Sequence, residues 1–290
     1  MVLVVASILS GLTLGGTYAL VSLGLVLAFR ATGTFNFAHG ELMLLPAFVV
    51  GYFTLHHLAV GLGIAVALAV SAAVGALFYL LVLRRTTGLP LFVGIIATFG
   101  LAAILDGIMG IMFRAIQYEI NFPGLPTGNV TILGAAVSEV SLVVAGFTIC
   151  LALAVNAVLR FTHLGIMIRA AGHNSILASQ CGIPVRWVYI GSWSAASVLA
   201  ALGGISYGSA TIVNTSLVNL GLAAIPAIVI GGIDSIEGAI VGGLVVGLVE
   251  GFTQIYLGGN YVDLVTYLGL LLVLLIRPQG IFGTREVVRA

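Results

Sequence analysis

The sequence predicts an all-α, polytopic integral membrane protein, a helical bundle in which some helices are broken or re-entrant. Three observations carry this reading. Of 290 residues, 61% are hydrophobic and only 7% charged, with a mean hydropathy of +1.25, whereas soluble domains carry about 25% charged residues. That leaves too little polar surface to cover a water-soluble globule. Apolar stretches near the ~20 residues needed to cross a bilayer recur along the whole chain. The 39 glycines, many at four-residue spacing, suit helix backbones packed closely in lipid. Nothing divides the chain, so residues 1–290 read as one transmembrane domain.

Hydropathy places the spans at roughly 3–29, 40–56, 60–83, 91–113, 138–160, 187–208, 222–257 and 262–277. The first lacks a basic n-region and runs apolar for longer than a signal core, so a retained span is expected. The seventh is longer than one crossing. It is interrupted by IDSIEG at 233–238, which predicts two short crossings or a helix that breaks and turns back.

The arginines set the orientation. All ten basic residues are Arg. With 160–186 in the cytoplasm, Arg30, Arg84, Arg85, Arg160, Arg169, Arg186, Arg277, Arg285 and Arg289 lie inside and only Arg114 outside. The positive-inside rule then puts the N-terminus outside and the C-terminus inside. This holds only if 222–257 returns to the side it left. A net charge of +1 gives no footprint for nucleic acid. Cys150 falls in an apolar span and Cys181 in the polar loop, so no disulfide is expected.

Glycines spaced by four mark packing faces: Gly11/Gly15, Gly204/Gly208, Gly238/Gly242 and Gly243/Gly247/Gly251. Ordinary bundle packing and a substrate-lining role are the two readings of such stripes.

Residues 160–186 form a polar, basic island, too polar to span and too long for a turn. Within it Ala171, Ser175 and Ala178 recur at helical spacing, and Gly182 followed by Pro184 is a helix stop. One short helix over 169–184 is expected on the cytoplasmic surface, docking its small-residue face into a partner's groove. The alternative is a solvated connector.

A charge at a helix centre costs about 2.5–3.5 kcal/mol on insertion scales. Asp106 and Glu250 fall within spans, Glu41 and His39 at the start of the second, and Asp234 and Glu237 at the IDSIEG break. Asn36, His39, Glu41, Asp234 and Glu237 are candidates for a polar path that a zwitterion could follow. Asn36, His39 and Glu41 cluster at a helix N-terminus, a place that can hold a carboxylate. Interhelical hydrogen bonding is the other reading of each. Gly204–Gly208 reads GISYG and matches a hydrolase nucleophile pattern, but no His follows His173. No phosphate-binding loop, H-E-x-x-H or C-x-x-C occurs, so no metal or cofactor is expected, and any ATP is hydrolysed by another chain.

Three segments carry a family resemblance. RAAGHNSILASQCGIPV resembles the cytoplasmic coupling segment of ABC importer permeases of the branched-chain amino acid (LivH) type. GTFNFAHGELMLLPAF at 33–48, with Asn36, Phe37, His39, Gly40 and Glu41 at its core, resembles the same family's segment at the start of the second span. LLIRPQGIFG at 274–283 is similar to its C-terminal signature. Cys181 stands where a small apolar residue would be expected. The resemblance covers the whole chain, with NFAHGE its most specific part.

The resemblance implies tightly packed helices around a translocation path in the bacterial plasma (inner) membrane, surrounded by lipid. It implies a second homologous permease subunit, two cytoplasmic ATP-binding subunits and an extracytoplasmic substrate-binding protein. It makes Arg169, Ala170, Ala171, Asn174, Ser175, Ala178, Gly182 and Ile183 the ATPase-coupling residues. The expected function is translocation of branched-chain or related amino acids by alternating access, with no catalytic residue in this chain. A permease for urea or short amides, an ion-coupled secondary transporter and a hydrolase resting on Ser206 are the alternatives.

Overall fold

The computed structural model describes residues 1–86, 89–114 and 116–283. Helices α1 (Val2–Thr32), α2 (His39–Leu55), α3 (Val60–Thr86) and α4 (Leu91–Phe113) are followed by a hairpin of β1 (Asn129–Ile132) and β2 (Ala135–Ser138). Next come α5 (Glu139–Phe161), α6 (His163–His173), α7 (Ser175–Gln180), α8 (Val185–Ala210), α9 (Leu217–Gly231), α10 (Ile236–Tyr256) and α11 (Val262–Ile276). Among the described residues, seven helices are long and apolar enough to cross a membrane, and α2 and α9 are shorter apolar helices.

α1 is the central post. Of its most apolar 18-residue stretch 83% is buried, against 17% for α4 and 6% for the last span, which contains α11. Those outer helices leave most of their apolar side chains exposed, which carries no penalty in a lipid environment. The glycine stripes are packing faces. Gly11 and Gly15 of α1 meet Gly247 and Gly251 of α10 backbone to backbone, and Gly243 meets Ala19. A Cβ on Gly251 would lie 2.6 Å from the Gly11 Cα, so a side chain anywhere along this seam must push the helices apart. On α8, Gly204 lies against the Met43 carbonyl of α2, and Trp193 is fully buried with its Nε1–H donating to Thr32 Oγ1 at 3.2 Å.

The expected break occurs at Gly232–Ser235, where Gly232 takes φ 114° and Ser235 Oγ accepts from the Gly238 N–H at 2.9 Å to start α10. α9 therefore runs to this turn and α10 runs back, so the segment ends at the end of the bundle from which it set out. The C-terminal signature folds onto the break: Ile281 N–H donates to the Ile230 carbonyl at 2.8 Å and Phe282 N–H to that of Gly231 at 2.9 Å. These bonds meet carbonyls that a helix end otherwise leaves without partners.

Arg30, Arg84, Arg85, Arg160, Arg169, Arg186 and Arg277 gather at the end of the bundle that holds this break. The links are direct: Gly172 packs on the Arg30 carbonyl, Arg160 pairs with Glu237, and Thr86, Thr32 and Ser175 line one cavity. Arg114 lies at the opposite end, with the β-hairpin and the Tyr118–Val213 bridge. Arg285 and Arg289 lie outside the described residues.

Two features differ from the sequence reading. α3 passes through a π-turn at Tyr79–Leu83 before its last turn, Arg84–Thr86. The single helix expected over 169–184 is instead two, α6 and α7, parted at Asn174, whose φ/ψ of −154°/99° is extended. The physical cause is local: Asn174 Oδ1 accepts from the Ile176 and Leu177 N–H groups at 3.1 and 3.0 Å, capping a new helix in place of continuing the old one. The glycine stop is as expected, with Gly182 at φ 81° and Ile183 N–H bonded to the Ala178 carbonyl.

Candidate functional site: two helix starts inside the bundle and a surface loop

α1 ends at Gly33, in the left-handed conformation at φ 71°. The chain then turns back into the bundle. Thr98 of α4 fixes this return: its Oγ1 accepts from the Phe37 N–H at 3.2 Å, and Gly94 leaves room for Thr34. Phe37 stacks on Phe99 with ring centroids 4.6 Å apart. Asn36 Oδ1 accepts from the Ala38 N–H at 3.1 Å, a local turn that opens α2.

The depth of that opening is set by His39. Its Nε2 lies 3.0 Å from the Val21 carbonyl, well inside α1. A carbonyl only accepts, so Nε2 carries the proton and Nδ1 presents a lone pair. α2 therefore begins within the bundle. At 17 residues it is about 25 Å long, short of the ~30 Å hydrocarbon core. α9 begins beside it. A Cβ on Gly40 would sit 2.5 Å from the Val218 carbonyl, and Gly221 touches the Gly40 backbone. α9 has 15 residues and is shorter still.

Two helix starts thus meet in the interior, with polar groups unmatched around them. Asn36 and His39 are each 1% exposed, and Asn36 Nδ2, His39 Nδ1 and one oxygen of Glu41 have no hydrogen-bond partner. A buried polar group left without a partner costs roughly 1–3 kcal/mol, so groups of this kind need an explanation. They comprise an N–H donor pair, an acceptor nitrogen and a carboxylate oxygen, with His39 and Glu41, two residues apart, on different faces of α2.

The other polar residues stand elsewhere. Asp234 occupies the α9–α10 turn, and Glu237 follows it, pairing with Arg160 at 3.5 Å with both side chains about half exposed. The structure does not bring this pair to Asn36 and His39. Asp106 is on an exposed face of α4. Glu250 is 5% exposed and accepts from Tyr18 Oη at 2.7 Å and Thr266 Oγ1 at 3.0 Å. No sequence signal joins Tyr18 to Glu250 across the intervening chain. Among the described residues no group of three or more His, Cys, Asp or Glu could hold a metal ion.

At the arginine-rich end, α6 and α7 lie against the bundle. Arg169 Nη1 donates to the Leu159 carbonyl at 2.8 Å, and Tyr189 Oη donates to that of Ala171 at 3.0 Å. Ala171 and Ala178, expected to face outward, are 1% and 4% exposed. Their methyl groups seat the segment on its own chain. The outward surface is apolar and larger, with Ile176 70% and Leu177 57% exposed. Ala170 is half-buried, while Asn174 and Ser175 are exposed.

Ser206 lies inside helix α8 and is 7% exposed. Gly204 and Gly208 beside it pack against Met43 and Val213. A nucleophile elbow needs a strand–turn–helix, so the GISYG pattern is a packing motif.

Comparison with known proteins agrees with this architecture. Residues 7–275 match the family model described as branched-chain amino acid transport system / permease component. The high-affinity branched-chain amino acid transport system permease protein LivH of Escherichia coli (strain K12) is 28% identical over 294 residues, covering 96% of this chain and 95% of the relative. BraD of Pseudomonas aeruginosa, named likewise, is 29% identical over 300 residues, covering 97% and 96%. A solved structure, PsaBC from Streptococcus pneumoniae in complex with Fab, superposes with a TM-score of 0.52 at 14% identity, covering 94% of this chain and 92% of that one, and so shares the fold. With seven apolar crossing-length helices and these relatives, the chain is a multi-pass protein of the bacterial inner membrane. The match over residues 7–275 decides the assignment: the chain belongs to the family of branched-chain amino acid transport system permease components.

Proposed function

We propose that this chain is the translocation subunit of an ABC importer for branched-chain amino acids, working by alternating access. The observation that carries the reading is the meeting of two helix starts, α2 and α9, inside an otherwise apolar bundle. The unmatched groups there suit a zwitterion with an aliphatic tail. Asn36 Nδ2 can donate to its carboxylate, His39 Nδ1 can accept from its ammonium, and the surrounding Leu, Val and Met side chains accept its tail, while Glu41, on another face of α2, adds negative charge to the same helix start. Asp234 and Glu237, at the arginine-rich end, fit the exit of such a path.

The chain has no phosphate-binding loop, so hydrolysis of ATP falls to partner subunits. A second homologous permease, two ATP-binding subunits and an extracytoplasmic binding protein complete the assembly in this reading. The contact with the ATPase is the Ile176–Leu177 face of α7. Arg169, Ala170, Ala171 and Ala178 hold α6 and α7 in place, Asn174 and Ser175 form the joint between them, and Gly182 and Ile183 end the segment.

Asn36→Leu and His39→Leu test the path. Each is expected to lower leucine uptake about tenfold or more, since a hydrogen bond to a charged group contributes about 1.5–3 kcal/mol. The amount of subunit in the membrane should stay near wild type. Loss of the subunit in step with loss of uptake would make the two residues structural. Cells lacking the gene that import leucine, isoleucine and valine normally but lose urea or amide uptake would overturn the substrate assignment.

A further inference from the structure

A second polar site lies apart from the α2 start. Where α8 stops and α11 begins, a cavity of about 450 Å³ is bounded by Tyr18 of α1, Glu250 of α10 and the first turns of α9 and α11. One wall is polar, with Tyr207, Asn214, Asn219 and Asp263 beside Glu250; the other is apolar, with Leu220 and Ala223. Both oxygens of Glu250 accept hydrogen bonds, from the Tyr18 and Thr266 hydroxyls. Hydroxyls donate as well as accept, so Tyr18 and Thr266 can serve an ionised Glu250. Its hydrogen-bond partners are these two hydroxyls, and the Arg160–Glu237 pair lies at the other end of the bundle. A carboxylate that deep is costly without a counter-charge.

We infer that this cavity takes up the ammonium end of a zwitterionic or cationic solute, with Glu250 as its counter-charge and Leu220 and Ala223 against its aliphatic part. The first turn of α9 has two sides: Leu217 and Leu220 line the cavity, while Val218 and Gly221 touch Gly40. That turn is the partition between this cavity and the start of α2. A solute held at Glu250 would pass to Asn36 and His39 when α9 shifts. The identity of the solute rests on the importer reading above; the negative character of the cavity does not.

The experiment separates the two. With the exposed Cys150 and Cys181 replaced by Ser, Asn219→Cys is treated in intact cells with a cationic (2-aminoethyl) and an anionic (2-sulfonatoethyl) methanethiosulfonate. The ratio of cationic to anionic reaction rates should fall roughly tenfold on adding Glu250→Gln, which removes the charge and keeps one acceptor oxygen, its amide N–H donating to the other hydroxyl. Thr266→Val, which keeps the charge, should leave the ratio within about twofold of its starting value. An unchanged ratio in Glu250→Gln overturns the proposal, as does a cysteine that reacts only after detergent solubilisation. In the full transporter Glu250→Gln should lower maximal leucine uptake about tenfold. Wild-type uptake in Glu250→Gln, or an equal loss in Thr266→Val, would make Glu250 a helix clamp and overturn the proposal. A charge preference that persists in a chain on which leucine uptake does not depend would support the cationic site and reject the importer reading.

Discussion

Two of the places where glycine brings helices into backbone contact behave as different devices. Along the α1–α10 seam, Gly11, Gly15, Gly243, Gly247 and Gly251 bring two full-length antiparallel helices together over several turns. Where α2 meets α9, Gly40 and Gly221 bring together two helix beginnings over a single turn, with unmatched polar groups close by. Extent is what separates them. A seam several turns long gains dispersion energy at every turn and has no cheap way to slide. A single-turn crossing has little to lose by shifting, and the polar groups beside it gain partners if a solute arrives. The first reads as a weld and the second as a joint.

The largest effect is expected from Gly247→Leu. Its side chain would enter the Gly15 backbone, and the loss should exceed the roughly 1–3 kcal/mol typical of overpacking, because backbone on both sides must move. The expected outcome is little or no monodisperse subunit after detergent extraction, read by fluorescence-detected size exclusion. Normal extraction would show that the seam is not a weld.

Gly221→Ala should act more narrowly. One methyl meets the Gly40 backbone at the start of α9 and must tilt that turn away from α2. Thermal stability in detergent should fall by no more than about 1–3 kcal/mol, while leucine uptake falls more than the amount of subunit does. If the variant is as poorly extracted as Gly247→Leu, the distinction between weld and joint collapses.

The smallest effect on the bundle is expected from Ile176→Asp, since a residue 70% exposed on α7 has little packing to lose; stability should stay within about 0.5 kcal/mol. Substrate-stimulated ATP hydrolysis in the reconstituted complex should nonetheless drop sharply, because a charge then faces the partner's groove. Wild-type stimulation would return the segment to a solvated connector.

The spans were legible in the sequence because hydropathy is a local property: 91–113 is α4 to the residue, and the IDSIEG break lies where its charges and glycines put it. The glycine stripes were legible as packing faces, but their partners were not, since spacing on one helix says nothing about which helix answers it. Asn174 shows a different limit. Its capping role could have been read from the Asn-Ser pair, yet the small-residue spacing on both sides of it is equally helical, and the cap decides. The direction in which Ala171 and Ala178 face depends on Tyr189 and the Arg30 carbonyl, both remote in sequence. The Tyr18–Glu250–Thr266 cluster is tertiary in the same sense. At the α2 start, NFAHGE marked the residues, whereas their depth came from one bond to Val21.

The clasp of Ile281 and Phe282 on the end of α9 bears on the order in which the molecule is completed. The chain is threaded into the bilayer from its N-terminus, so the Ile230 and Gly231 carbonyls are laid down long before the N–H groups that meet them. Throughout the synthesis of α10 and α11 those acceptors lack these two donors. The end of α9 is therefore finished only when Ile281 and Phe282 have been made, after the whole of α10 and α11.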